Sequence, residues 1–312
     1  MSTIIETEGV VILQSGLSKV EIWPRCGAIL NSWQVYLHNK PFQLIEGYLS
    51  IADFKKNCEA KGFRSCKLSP FVCRLHKGHY EFEDEQYQVD KFMLGDHAIH
   101  GLLYDVPFEI LSSYSDESSA SVVLQYQYKG NQNGFPFAYD IQVSYTLTAQ
   151  NQLGISSSIT NKHRAAIPIT DGWHPYFSLG RPVDELELCM QTSDMLEFDE
   201  TLIPTGEFLP YTFFNEASSL KDISFDNCFR LRQSLEGAAC RIINKRDNIQ
   251  IAIYPDISYP YLQVYIPPHR QSIAIENLSA APDAFNNHIG LIYLDPKETI
   301  GFSTSFKVSD IS

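Results

Sequence analysis

The sequence predicts an all-β protein built as a large antiparallel β-sandwich, and three observations carry that expectation. Short segments in which apolar and polar residues alternate recur along the whole chain, as strands with one buried face do. Gly, Pro, Asn and Asp cluster between them as turn formers. Helical periodicity is confined to one stretch, with no strand–helix–strand alternation and no repeat of 20 to 50 residues, so parallel α/β folds, propellers and solenoids are disfavoured.

In chain order, Val10–Leu13 and Lys19–Ile22 form a predicted hairpin about Ser15-Gly16, followed by a turn at Pro24–Gly27 and a strand within Gly27–Tyr36 that carries Trp33. Ser50–Ala60 is the one predicted helix. Phe71–Leu75, His79–Phe82 and Gln86–Val89 read as strands, with Glu83-Asp84-Glu85 as an exposed turn. Ser121–Tyr128, Tyr139–Thr148 and Leu153–Thr160 alternate with period two, the last pair joined at Ala149–Gln152. Leu186–Met190, Cys240–Ile243, Ile249–Tyr254, Tyr261–Ile266, Ile273–Ile275 and Ile300–Val308 continue the series. The chain of 312 residues is expected to be a single domain, 1–312.

Composition narrows the function. Hydrophobic residues are 44% and charged residues 20%, which places the chain among globular proteins rather than disordered ones. A formal net charge of -13 leaves no basic stripe to neutralise phosphates, so nucleic acid and anionic membrane are not the expected partners. A neutral ligand fits that balance better. With 17 Tyr and 19 Phe there is ample aromatic surface for a β-rich core and for a sugar-binding face. The N-terminal run has two glutamates and no basic residue, unlike a secretory leader, and no apolar stretch reaches membrane-spanning length. Seven cysteines without CxxC spacing read as free thiols in a reducing compartment, and the expected location is cytoplasmic. No Cys/His group has metal-ligand spacing along the chain, nor is there a phosphate-binding glycine loop, so no metal or cofactor is expected.

Against this background a few polar groups stand out. Glu276 lies in SIAIENLSAAPDAF, Ser272–Phe285, as a lone carboxylate where a strand gives way to a loop turning at Pro282; an arbitrary glutamate there would face solvent. His174 sits in DGWHPYF, its backbone held extended by Pro175 and its ring flanked by Trp173, Tyr176 and Phe177, which suits either a structural histidine or a titrating one. His97 and His100 occur together as HAIHG. Asp226-Asn227 falls between Phe225 and Cys228, where an Asx turn is the ordinary explanation. Arg74 lies in an apolar strand and requires a partner, structural or a ligand hydroxyl.

Taken together, HGLLYD at 100–105, DGWHPYFSLG at 171–180, LIPTGEF at 202–208, FDNCFRL at 225–231, YLQVYIP at 261–267 and IENLSAAPDAFN at 275–286 resemble, in order and spacing, the motifs of the aldose 1-epimerases, or galactose mutarotases. The resemblance runs from about Val11 to Val308. It implies the galactose mutarotase-like supersandwich, agreeing with the fold read from the residues. It implies Glu276 as general base and His174 as general acid, with His100 polarising the sugar near its ring oxygen and Arg74, Asp226 and Gln263 holding ring hydroxyls. Family members usually carry asparagine before that arginine, where this chain has Cys73, and His97 is an additional histidine beside the motif.

The implied reaction interconverts the α and β anomers of a hexose such as glucose or galactose, by proton removal from the C1 hydroxyl and protonation of the ring oxygen. Glu276 would act ionised and His174 protonated, a nearby carboxylate helping to keep the imidazole charged. Other readings remain open. A hexose-6-phosphate 1-epimerase of the same fold would need further cations, for which Arg64, Lys67, Lys77 and Arg181 are candidates; a non-catalytic carbohydrate-binding protein would have no use for the His174–Glu276 pair; a glycoside hydrolase would pair Asp226 with Glu276. The expected partner is a small-molecule sugar, and the expected assembly a monomer or homodimer.

Overall fold

The structure, a computed structural model, describes residues 1–7 and 9–311. Two large antiparallel sheets carry the architecture. One has nine strands in the spatial order Glu109–Ser115, Ser119–Tyr128, Tyr139–Thr148, Gln152–Asn161, Thr299–Ser309, Ile249–Pro255, Cys240–Asn244, Glu187–Met190 and Ser218–Ser219. Along Tyr139–Thr148 every second residue is buried, Tyr139, Ile141, Val143, Tyr145 and Leu147, as a strand with one core face requires. The second sheet has eight strands, ordered Pro204–Pro210, Thr192–Phe198, Asp226–Leu231, Tyr261–Tyr265, Ile273–Leu278, Gly172–Trp173 and Lys67–Leu68, with Tyr176–Phe177 also paired to Ile273–Leu278.

The inner faces of both sheets share one apolar cluster, in which Ile141, Val143 and Tyr145 join Phe229, Val264, Ile273 and Ile275. Trp173 of the second sheet packs edge-on against Tyr145 of the first at 5.9 Å between ring centres, and Phe177 packs on Phe306 at 5.2 Å. This is the predicted sandwich. At about 25 cal/mol per Å² of apolar surface removed from water, such a core is the main term holding the sheets together.

The second sheet differs from the first because its outer face is covered too. All six residues of Ile273–Leu278 are buried. Ile273 and Ile275 point into the main core, whereas Leu278 belongs to a second apolar cluster containing Tyr48, Phe54, Phe63, Cys66, Val72 and Cys73. That covering layer comes from the segment between residues 48 and 104, and the site described below lies between it and the sheet. Its one helical piece is Ile51–Asn57, shorter than the predicted Ser50–Ala60. Ser50 caps it, its hydroxyl accepting from the Asp53 amide at 3.1 Å, and the chain then turns through Glu59–Gly62.

Several expectations need correction. Glu276 does not sit at a strand end facing water: its strand continues to Leu278 and the residue is 2% exposed. Asp226 does not form an Asx turn but opens the strand Asp226–Leu231. Phe71–Cys73 is not strand, and only Arg74–Leu75 pairs, with His97–Ile99. Glu109–Ser115, whose seven residues are all exposed, and the strands Thr192–Phe198 and Pro204–Pro210 were not expected, since an exposed edge or an irregular register leaves no clean alternation to read. No helix among the described residues is long and apolar enough to cross a membrane.

Candidate active site

Three neighbouring strands place the polar residues on one face. Gln263 stands directly across the ladder from Glu276, and Cys228 across from Gln263. Asp226 is two residues from Cys228 and so shares this face. The Gln263 amide donates to Asp226 Oδ1 at 2.7 Å. Loops supply the rest. The His100 amide donates to the Cys73 carbonyl at 2.8 Å, which fixes HAIHG beside Arg74. Gly101, at φ +75°, is there because a side chain would collide with the Ser69 carbonyl, 2.1 Å from where its Cβ would lie.

His174 enters between Gly172–Trp173 and Tyr176–Phe177, as Pro175 predicts. Its amide donates to the Cys66 carbonyl at 3.1 Å and its carbonyl accepts from Ser65 at 2.8 Å, so the covering segment clamps it on both sides. Tyr176 stacks on its ring at 5.1 Å and 8°, and His100 meets it edge-on at 4.8 Å. Thus oriented, His174 Nε2 lies 3.2 Å from Glu276 Oε1. The Cys73 thiol approaches the other carboxylate oxygen at 3.8 Å.

These groups line a cavity of about 240 Å³. Cys73, Arg74, His100, His174, Asp226, Gln263 and Glu276 all border it, with Phe63, Tyr176, Phe198 and Tyr265 as aromatic walls. His97 does not border it: that imidazole is buried with Nδ1 accepting from the Lys77 amide at 3.1 Å. Among the described residues the Arg74 guanidinium makes neither an ion pair nor a hydrogen bond, and Gln263 Oε1 and His100 Nδ1 have no protein partner. The residues bordering the cavity therefore bring unpaired donor and acceptor groups to its wall, as holding a hydroxylated ligand requires.

Burial dominates the electrostatics. It raises the Glu276 carboxyl well above the ordinary range, with Asp226 adding to the effect and the Cys73 thiol and Arg74 opposing it. Burial alone carries His174 down to about 3 and holds His100 well below the usual histidine range, His174 and Arg74 adding to the second effect. Asp226 is raised by burial, with Arg74 and the Gln263 hydrogen bond pulling it back. Burial thus works against the charged His174 that a neighbouring carboxylate was expected to favour, with only a backbone hydrogen bond opposing it. Both shifts favour the uncharged form of each group.

The sequence contains no metal-ligand spacing, yet in space a nitrogen from His100, one from His174 and an oxygen from Glu276 lie within 4.8 Å of one another. Two histidines and a carboxylate are a donor set that could hold a divalent ion. Positions this far apart along the chain leave no local signal. Phe63, Tyr176, Phe198 and Tyr265 likewise carry no mark that separates a cavity wall from core. The four further cations are engaged elsewhere or lie outside the cavity: Arg64 pairs with Glu46 at 2.6 Å, Lys67 is buried against Asp171 at 2.5 Å, Arg181 pairs with Asp247 at 3.0 Å, and Lys77 does not line it.

The two-sheet antiparallel β architecture is that of the galactose mutarotase-like class of fold. The family model for aldose 1-epimerase matches residues 10–307, and the chain belongs to that family. It is similar to the uncharacterized protein YihR of Escherichia coli, 27% identical over 239 residues that cover 73% of each chain. It is also similar to the maltose epimerase of Levilactobacillus brevis, 22% identical over 74% of this chain and 72% of that one. Among solved structures, a galactose mutarotase-like protein from Clostridium acetobutylicum superimposes with a TM-score of 0.87 at 17% identity, over 100% of this chain and 98% of that one.

Proposed function

We propose that this protein is a cofactor-independent aldose 1-epimerase, an isomerase that interconverts the α and β anomers of a neutral hexose, with Glu276 as general base and His174 as general acid. The observation that carries this reading is the 3.2 Å contact between His174 Nε2 and Glu276 Oε1 at the wall of the cavity. A pyranose carries a C1 hydroxyl and an adjacent ring oxygen. One must lose a proton while the other gains one, so two proton-exchanging groups side by side suit it.

Glu276 takes the C1 hydroxyl proton as the C1 carbonyl forms. The electron pair of the bond from C1 to the ring oxygen passes to that oxygen, which receives a proton from His174. The open-chain aldehyde turns about C1–C2, and closure on the other face reverses both transfers. The single proton of the pair resides on His174 for the forward step. A sugar hydroxyl donating to Glu276 and a ring oxygen accepting from His174 favour that placement, although burial of the empty pair favours the neutral form of each. Arg74, Asp226 and Gln263 hold ring hydroxyls, and His100 polarises the sugar near its ring oxygen. Residues 1–312 act as one unit in this reading, and seven free cysteines fit a cytoplasmic setting.

A phosphorylated hexose is the less suitable substrate. Arg74 is the one Lys or Arg side chain among the described residues lining the cavity, and the alternative cations are engaged or elsewhere. The test is the rate at which α-glucose, α-galactose, maltose and glucose 6-phosphate mutarotate, by polarimetry or NMR exchange, with the protein and with Glu276→Gln. Acceleration of a neutral sugar that vanishes in the variant is expected. Acceleration of the phosphate sugar alone, or binding without acceleration, overturns the reading.

A further inference from the structure

The covering segment contains a pair of thiols that the chemistry above does not use. Cys58, at the end of the helix Ile51–Asn57, and Cys66 have their sulfurs 3.8 Å apart. Cys58 is half-buried and borders a second cavity, of about 370 Å³, whose lining includes Arg25, Lys55 and Lys56 together with Glu59 and Asp105. Cys66 is fully buried on the side of the sugar cavity, and its carbonyl accepts the His174 amide. Between the two cysteines, Glu59, Ala60, Gly62 and Phe63 form a wall of that cavity. Gly62, at φ +73°, offers its carbonyl to Tyr176 Oη at 2.8 Å, and Phe63 packs on His100 at 4.8 Å. One short loop thus joins the thiols to both histidines.

From this geometry we propose that Cys58 and Cys66 are a redox-active pair, in which a hydroperoxide converts the two thiols to a disulfide that reshapes the sugar cavity. The coupling to the cavity rests on the epimerase reading; the thiol chemistry does not. Cys58 is the attacking sulfur because it faces the outer cavity and receives hydrogen bonds from Cys66 and from Tyr48 Oη at 3.5 Å. Those bonds favour the Cys58 thiolate, the Cys66 bond most and against the opposing effect of burial, whereas burial first of all holds Cys66 in its protonated thiol form. The Cys58 thiolate displaces hydroxide from hydrogen peroxide, the O–O bond breaking to give a sulfenic acid and, with one proton, water. Cys66 then attacks the Cys58 sulfur, its proton leaving with the sulfenic oxygen as a second water. Two thiols lose two electrons and one peroxide gains them. A disulfide draws the sulfurs to about 2.05 Å, a displacement of well over 1 Å shared among the loop and the Ser65-Cys66 segment that clamps His174.

The experiment treats the reduced protein with hydrogen peroxide, maps the products by peptide mass spectrometry and follows mutarotation of α-galactose before and after dithiothreitol. A Cys58–Cys66 cross-linked peptide is expected, with kcat/KM lowered on the order of tenfold to a hundredfold, as for a catalytic group displaced by about 1 Å, and restored by the reductant. Cys58→Ser is expected to keep its reduced-state rate and become insensitive to peroxide, and Cys66→Ser to stop at a sulfenic acid trapped by dimedone. Peroxide that leaves both thiols free overturns the pair, and a cross-link that leaves the rate unchanged overturns its coupling to the cavity. A reduced protein that accelerates no sugar fails the epimerase reading and with it the coupling, while the peptide map still decides the pair.

Discussion

Gln263 and Glu276 face one another across an antiparallel ladder, and each reaches a different partner from that shared row: Gln263 holds Asp226 at 2.7 Å, while Glu276 meets His174 at 3.2 Å. The register of two strands therefore sets which polar side chains border the cavity. A one-residue slip of either strand would turn its own polar side chain into the core.

Glu276→Gln keeps the shape of the side chain and removes the proposed base. Mutarotation is expected to fall by about 100- to 10,000-fold in kcat, with KM changed far less, and His174→Asn should behave likewise. Burial of Glu276 disfavours its charged form, so the folded wild type loses stability as pH rises from about 4.3 through the raised value. The glutamine variant is spared this. Its Tm is expected to exceed that of the wild type at neutral pH, with the gap closing toward pH 4.

The pair holds one proton between the acid limit, where His174 charges at about 3, and the alkaline limit, where the raised Glu276 carboxyl ionises. In the epimerase reading, activity needs that single proton. A bell-shaped profile of kcat/KM is expected, its limits belonging to the pair rather than to either residue. Stability should also fall as pH drops through about 6.5, because the unfolded histidine binds a proton there that folded His174 refuses. A pH–rate profile with thermal melts at each pH checks both.

Arg74 and His97 separate ligand contact from structure. Arg74→Met removes a guanidinium with no protein partner, and the loss of a charged hydrogen bond to the sugar, about 1.5–3 kcal/mol, is expected to raise KM roughly ten- to a hundredfold. His97→Ala lies outside the cavity and should leave KM within a few-fold while lowering Tm through the lost bond to Lys77. Steady-state kinetics on the two variants distinguishes them.

Lys67 and Asp171 are both fully buried, 2.5 Å apart, with Tyr259 donating to the same carboxylate at 2.6 Å and Trp173 beneath the ammonium. Lys67→Met strands the carboxylate beside the DGWHPYF segment. A loss of about 3–5 kcal/mol in denaturant unfolding is expected, and Lys67→Met with Asp171→Leu should recover much of it, since the desolvated pair contributes little net stability.

If proton transfer by this pair is the whole chemistry, the convergence of His100, His174 and Glu276 is a ligand-like geometry without a resident ion. Dialysis against a chelator is then expected to leave mutarotation unchanged. A loss that added zinc restores would place a metal in the reaction.

The sequence by itself determined the β-rich architecture, the regular half-buried strands to within a residue or two at each end, and the motifs that single out Glu276, His174, His100, Arg74, Asp226 and Gln263. Period-two alternation is a local signal, and Tyr139–Thr148 matches its prediction residue for residue because one face meets the core and the other meets water. Only the tertiary structure decided that Ile273–Leu278 is buried on both faces, which placed Glu276 inside a strand rather than at its end. It alone turned Asp226 from a turn former into the partner of Gln263, paired Lys67 with Asp171, withdrew His97 from the cavity and set Cys58 against Cys66. Each of these depends on which distant segment covers a face. That choice is made by packing between layers far apart in sequence, and no window of neighbouring residues records it.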